Sequence, residues 1–148
     1  MEIIPDFKEL FASLNANRVE FLIVGGYALA HHGKPRFTGD LDIYLKPDPE
    51  NAVRVIKALD DFGFGSADLK PDDFTAANRV IQLGYSPVRI DLLNSISGVS
   101  WAEAFAGRVK GDYGGVEVYY IGREQLIANK RATGRKQDLA DLEALGEE

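Results

Sequence analysis

Phe21-Leu22-Ile23-Val24-Gly25-Gly26-Tyr27-Ala28-Leu29-Ala30 and, after a short interval, Arg36-Phe37-Thr38-Gly39-Asp40-Leu41-Asp42-Ile43 decide how this chain is read. The apolar run ends at two glycines, which predicts a buried strand and a tight turn. Tyr27 to His32 then form a short helix, with Gly33 as its C-terminal cap. Residues 40–46 alternate, with Leu41, Ile43 and Leu45 on one face and Asp40, Asp42 and Tyr44 on the other, the pattern of a strand with a polar side. Residues i and i+2 of a strand point the same way, roughly 6–7 Å apart. Asp40 and Asp42 can therefore grip a hard divalent cation from one side while Leu41 anchors the strand. Magnesium suits such a site because one or two carboxylates, phosphates and water complete its shell.

A site for two ions, spaced about 3.5–4 Å, needs a bridging carboxylate and a third ligand. In Val88-Arg89-Ile90-Asp91-Leu92 the apolar residues face one way, and Arg89 and Asp91 the other. If this strand neighbours the first, about 4.8 Å away, Asp91 joins Asp40 and Asp42 on the polar face. Three crowded carboxylates repel one another unless a cation lies between them. The Gly25-Gly26 turn precedes a helix N-terminus, where exposed N–H groups favour an anion such as phosphate, and glycines allow it close to the backbone. No Gly-Lys-Ser/Thr follows, so this is no Walker loop, and the third glycine of a dinucleotide fingerprint is missing.

Further out, Phe7, Leu10, Phe11 and Leu14 predict a helix over residues 5–16. Asp48 and Pro49 open another, carried on by Val53, Ile56, Leu59 and Phe62 and closed by Gly63. Residues 65–78 read as loop with a helical turn at Asp72-Asp73-Phe74. Arg79–Tyr85 and Val88–Leu93 read as two strands split at Ser86-Pro87 and paired as a hairpin. Ser100 to Glu103 fits a capping box. Gly114-Gly115 is a hairpin turn between Arg108–Tyr113 and Val116–Ile121. Helices about 123–132 and 135–146 end the chain, the last with Leu139, Leu142 and Leu145 on one side. Without regular βαβ alternation, the expected class is α+β, or mixed α/β, around one sheet in a single domain over residues 1–148, with the C-terminal helices packed on it.

The chain has 148 residues, 45% hydrophobic and 27% charged, which is ordinary globular composition. A formal net charge of −6 argues against a protein that coats DNA or an anionic membrane. The absence of cysteine excludes disulfides, thiolate nucleophiles and zinc–thiolate sites. The start lacks a basic and apolar leader, and no apolar run is long enough to span a bilayer, so a soluble cytoplasmic protein is expected.

The glycine turn and the Asp-x-Asp strand together resemble the nucleotidyltransferase superfamily of the DNA polymerase β type. More narrowly, they are similar to its small bacterial branch of AbiEii-like and minimal nucleotidyltransferase proteins. The resemblance implies a mixed sheet flanked by helices, Gly25 and Gly26 cradling the triphosphate of an NTP, and two magnesium ions (or manganese) held by Asp40, Asp42 and Asp91. Arg36 and Thr38 are close enough to touch phosphate or orient a carboxylate. The segment from Lys130 to Leu142 resembles the C-terminal lysine-and-aspartate motif of AbiEii-like proteins. It offers Lys130, or next Arg135 or Lys136, as a cation facing the triphosphate as pyrophosphate leaves; without the upstream motif the same residues would be a solvated helix junction. Asp138 positions the lysine, accepts a proton from the acceptor, or is a helix N-terminal charge near Gly134, and Asp141 is expected at the surface.

The implied activity is magnesium-dependent transfer of an NMP group to an acceptor: a protein side chain, as in toxin–antitoxin pairs, a small molecule or a tRNA end. The alternative is a non-catalytic nucleotide-sensing or partner-binding module on the same fold. His31-His32 are expected to make helix-end hydrogen bonds rather than bind metal, since adjacent helical residues face apart. Trp101, Tyr119 and Tyr120 are expected to pack in the core or hairpin rather than stack on a base.

Overall fold

The computed structural model describes residues 3–33, 39–63, 68–84 and 89–147. In chain order the elements are α1 (Pro5–Ala16), β1 (Phe21–Val24), α2 (Gly25–His31), β2 (Asp40–Leu45), α3 (Pro49–Phe62), α4 (Asp72–Thr75), β3 (Val80–Leu83), β4 (Arg89–Leu93), α5 (Trp101–Ala106), β5 (Val109–Tyr113), β6 (Val116–Tyr120), α6 (Arg123–Thr133) and α7 (Lys136–Ala144). The strands form one sheet in the order β3-β4-β2-β1-β6-β5. The pairs β1/β2, β3/β4 and β5/β6 are antiparallel, whereas β2/β4 and β1/β6 are parallel. The sheet is thus mixed and flanked by helices, as the family resemblance implies.

Local chemistry sets the boundaries. Asp48 caps α3 by accepting the Asn51 N–H at 2.8 Å, Pro49 fills the first helical turn, and Gly63 ends the helix in the left-handed region. At α5, Ser100 and Glu103 make both bonds of the capping box. Gly114 and Gly115, at φ of 61° and 95°, join β5 to β6; a two-residue turn of this kind needs positive φ at both positions. The β3/β4 hairpin forms as expected, while its split at Ser86-Pro87 lies outside the described residues.

One face of the sheet carries Leu41, Ile43, Ile90 and Leu92, all buried. Here α1 and α3 pack: the Phe11 and Phe21 rings stack 6.0 Å apart, and Ser13 Oγ donates to the Ala58 carbonyl at 2.7 Å. The opposite face carries Asp42 and Asp91, with Tyr44 and Leu93 further along the same strands. Trp101 of α5 meets Tyr44 edge-on at 5.1 Å. The loop after β4 runs so close to α6 that a Cβ on Gly98 would collide with Ala132.

Two helical faces differ from expectation. On α3 the buried face is Asn51, Ala52, Val55, Ala58 and Leu59, whereas Val53 is 57% exposed. A spacing of three drifts around a helix of 3.6 residues per turn, and the packed stripe follows the mixed three-and-four spacing. On α7, Leu142 and Leu145 are buried but Leu139 is 55% exposed, because Asp138 and Asp141 take the inner positions.

Candidate active site

Every residue of β1 is buried, and the chain turns directly from Val24 into α2, whose first residue is Gly25. No side chain caps this helix, and the first N–H groups of any helix lack intrahelical acceptors. Gly25 has a φ of +68°, and a Cβ there would collide with the Asp42 carboxylate. The cause is register: Val24 pairs with Asp42 across β1/β2, so the turn emerges beside that side chain.

On its other side β2 runs parallel to β4, and the register aligns Asp42 with Asp91 and Asp40 with Arg89. The structure thus brings together Asp42, Asp91 and the glycine turn from three separate stretches of sequence, with Asp40 one strand repeat away. Burial first, then the negative charges of Asp91 and Asp40, push the Asp42 carboxyl up to about 6, with Lys130 and Arg89 acting in the opposite sense.

Arg89 is the residue that sequence reasoning placed on the right face without giving it a task. Its Nε donates to Asp91 Oδ1 and its Nη2 to Asp91 Oδ2, each at 3.1 Å, and Nε lies 4.0 Å from Asp40 Oδ2. The guanidinium supplies positive charge that the crowding argument had assigned to metal alone. Among the described residues no three carboxylate or imidazole side chains are gathered around a common point. The donor set nevertheless fits a hard divalent cation in kind, being all carboxylate oxygen, with Asp91 buried and Asp40 partly exposed.

Lys130 is buried at 5% exposure, its Nζ held by Asp141 Oδ2 at 2.8 Å and Asp138 Oδ1 at 3.4 Å. Asp141 is therefore interior, contrary to the surface position expected from sequence. Asp138 and Asp141, three residues apart on α7, share the face that meets α6, a spacing that could have revealed the pair. Asp138 makes the contacts of two of the alternatives left open for it, lysine partner and helix N-terminal charge. It faces Lys130, and it also accepts from the Arg135 N–H at 3.1 Å, Arg135 Nε at 2.7 Å and Thr133 Oγ1 at 2.7 Å. Burial alone would raise the Asp138 carboxyl, but the Arg135 and Thr133 hydrogen bonds and the Lys130 charge hold it far below the usual carboxylate range.

An open cleft of about 740 Å³ lies against this constellation. Gly25, Asp42, Lys130 and Arg135 line it on one side, and Val80 and Leu93 are among the uncharged residues lining the rest. Both cations on the wall are ion-paired to Asp138, but the Arg135 side chain is 74% exposed and Lys130 is buried. Arg36 and Thr38 lie outside the described residues. His32 makes the expected helix-end contact, its Nε2 lying 2.8 Å from the Ile121 carbonyl, whereas the His31 ring stacks on Tyr120 at 4.1 Å. Trp101 packs on Tyr44 and Phe105, and Tyr119 lies beneath Arg108. No helix among the described residues is long and apolar enough to cross a membrane.

A family model described as a nucleotidyl transferase of unknown function (DUF2204) matches residues 4–148. The chain is also similar to the crystal structure of a provisionally designated nucleotidyltransferase from Thermotoga maritima, with a TM-score of 0.65 and 14% sequence identity over 96% of this chain and 93% of that one. At that identity the likeness speaks for the fold, a mixed sheet flanked by helices. No curated protein matches the sequence.

Proposed function

The chain belongs to the family of nucleotidyl transferases of unknown function, and from that premise we propose that it transfers a nucleoside monophosphate from an NTP to an acceptor nucleophile, releasing pyrophosphate. The observation that carries this reading is the position of Asp42, set between the Gly25 turn and Asp91 at the edge of the cleft. A finer assignment, to the DNA polymerase β type and its AbiEii-like branch, is supported by the glycine turn, the Asp-x-Asp strand and the Lys130 to Leu142 segment.

Gly25 and Gly26 offer backbone N–H groups to the phosphates at the uncapped start of α2. Arg135 faces the triphosphate from the cleft wall and offsets its charge as pyrophosphate departs. Lys130, fixed by Asp138 and Asp141, contributes positive potential close to Asp42 and ties α7 to the wall that carries Arg135. Asp40, Asp42 and Asp91 would hold magnesium or manganese, which when bound supplies Lewis-acid neutralisation of phosphoryl charge. Asp42 must be ionised for that role, so protons compete with the metal for it. The acceptor oxygen forms the new bond to phosphorus, the bond to the leaving pyrophosphate breaks, and the acceptor proton leaves through the open cleft. Alignment and charge compensation supply most of the acceleration.

The uncharged wall at Val80 and Leu93 and the acidic surface as a whole favour a small molecule or a protein side chain as acceptor over a long nucleic acid. A protein acceptor would suit a toxin–antitoxin pair. Incubation with each α-labelled NTP, magnesium and cell lysate tests the proposal. The expected result is label on one acceptor together with pyrophosphate release, both lost in Asp42→Asn. ATP binding that ignores magnesium, with no pyrophosphate from any NTP, would instead mark a nucleotide-sensing module.

A further inference from the structure

Asp91, one of the three candidate metal-holding carboxylates, is engaged on both oxygens by a single arginine side chain. The Arg89 fork takes both of its oxygens at 3.1 Å, while Nε also approaches Asp40 to 4.0 Å. The two residues alternate along β4, so they share a face with no element between them, and register sets Arg89 beside Asp40. The Asp91 side chain is 11% exposed and that of Arg89 37%, so the guanidinium lies on the solvent side of the carboxylate it covers. Bidentate pairs of this geometry are among the stronger hydrogen-bonded contacts in proteins. A divalent cation that binds Asp91 competes with the guanidinium for the same two oxygens.

We propose that Arg89 is an internal competitor for the metal: it serves as counter-ion to Asp91 in the metal-free protein and must release that carboxylate when a divalent cation binds. The inference rests on the reading of Asp40, Asp42 and Asp91 as the metal-holding carboxylates. It makes Arg89 a positioning residue with two opposed effects. It steadies the metal-free protein by offsetting carboxylate repulsion, and it weakens metal binding by the free energy of the fork it gives up. Once released, its guanidinium lies on the exposed side of the cluster.

The test is titration of Mn2+ alone into the full chain, in wild type, Arg89→Gln and Arg89→Lys, followed by calorimetry and by the metal-induced shift in unfolding temperature. Competition predicts binding about ten-fold tighter in Arg89→Gln, where fork and charge are both lost. Arg89→Lys should fall between, about three-fold tighter than wild type, because lysine keeps the charge but cannot take both oxygens. Metal-free Arg89→Gln should unfold at a lower temperature than wild type and show the larger rise with Mn2+. Equal Mn2+ affinity in all three proteins overturns competition and leaves the metal site standing. Tighter binding in Arg89→Gln with Arg89→Lys equal to wild type reduces the effect to net charge and overturns the fork. Absence of Mn2+ binding in all three removes the metal site and this inference with it.

Discussion

Gly25 and Asp42 meet as backbone against carboxylate: the space a Cβ would need at Gly25 is taken by Asp42 Oδ2, and the glycine sits at a φ of +68°. Gly25→Ala therefore carries two penalties, about 1–2 kcal/mol for a left-handed alanine and a further cost for displacing the carboxylate. Urea denaturation should show the loss in wild type and a smaller one in an Asp42→Ala background, where most of the obstructing side chain is gone. Equal losses in the two backgrounds would show that the contact is not felt.

The raised Asp42 pKa gives a pH signature. At about 6 against an ordinary 3.8, the folded metal-free protein holds a proton that the unfolded chain has lost, so stability from this group rises as pH falls through 6. His31, held below its ordinary value first by burial and then by His32, pulls the other way in an overlapping window. The difference in stability between wild type and Asp42→Asn isolates the carboxylate. Asp42→Asn should be the steadier protein at neutral pH, with the gap narrowing as pH falls through about 6 and closing below the ordinary value of 3.8. Mn2+ binding should release close to one proton below the pKa and almost none at about pH 8.

Asp40→Ala and Asp42→Ala should each reduce NTP turnover to the no-enzyme level while leaving the circular dichroism spectrum unchanged. Normal pyrophosphate release by the double variant would remove the proposed chemistry.

Lys130 couples stability to activity. Removing one partner of a buried ion pair costs about 3–5 kcal/mol, so Lys130→Met should lower the free energy of unfolding by that order, and Asp141→Asn by less. Pairing Lys130→Met with Asp141→Asn should recover part of the loss, as a double-mutant cycle reads it. Lys130→Met should also impair turnover at saturating NTP under conditions where it remains folded.

The face of α7 can be checked directly. Leu142→Ala should cost about 2–5 kcal/mol, whereas Leu139→Gln, at a position 55% exposed, should stay within about 0.5 kcal/mol of wild type. Comparable losses at the two positions would return Leu139 to the core.

Sequence pattern carried the elements, including the two strands that bear the aspartates, because alternation and capping are local signals. Asp48-Pro49, Ser100-Glu103 and Gly114-Gly115 each declare a boundary within a few residues. The mistaken faces, Val53 on α3 and Leu139 on α7, are places where hydrophobicity was followed and packing chose otherwise. On α7 an ion pair to Lys130, from another helix, turned two aspartates inward and one leucine outward. Pairing between distant segments was also hidden. Nothing local states that β2 runs parallel to β4 with Asp42 in register with Asp91, or that Arg89 closes on its own strand neighbour. These relations depend on free energies shared between stretches that meet only in the folded chain.

The route from β2 to its parallel neighbour β4 passes through α3, α4 and β3, and this detour orders events during synthesis. The pair β1/β2, joined through α2, is complete before Asp91 in the chain and sets Gly25 against Asp42 without β4. Docking β4 comes later, after a long loop has closed, and it is the step that forces one carboxylate against another. Arg89 arrives two positions ahead of Asp91 on the same strand. The segment that brings the repulsion thus carries its own antidote, delivered in the same movement.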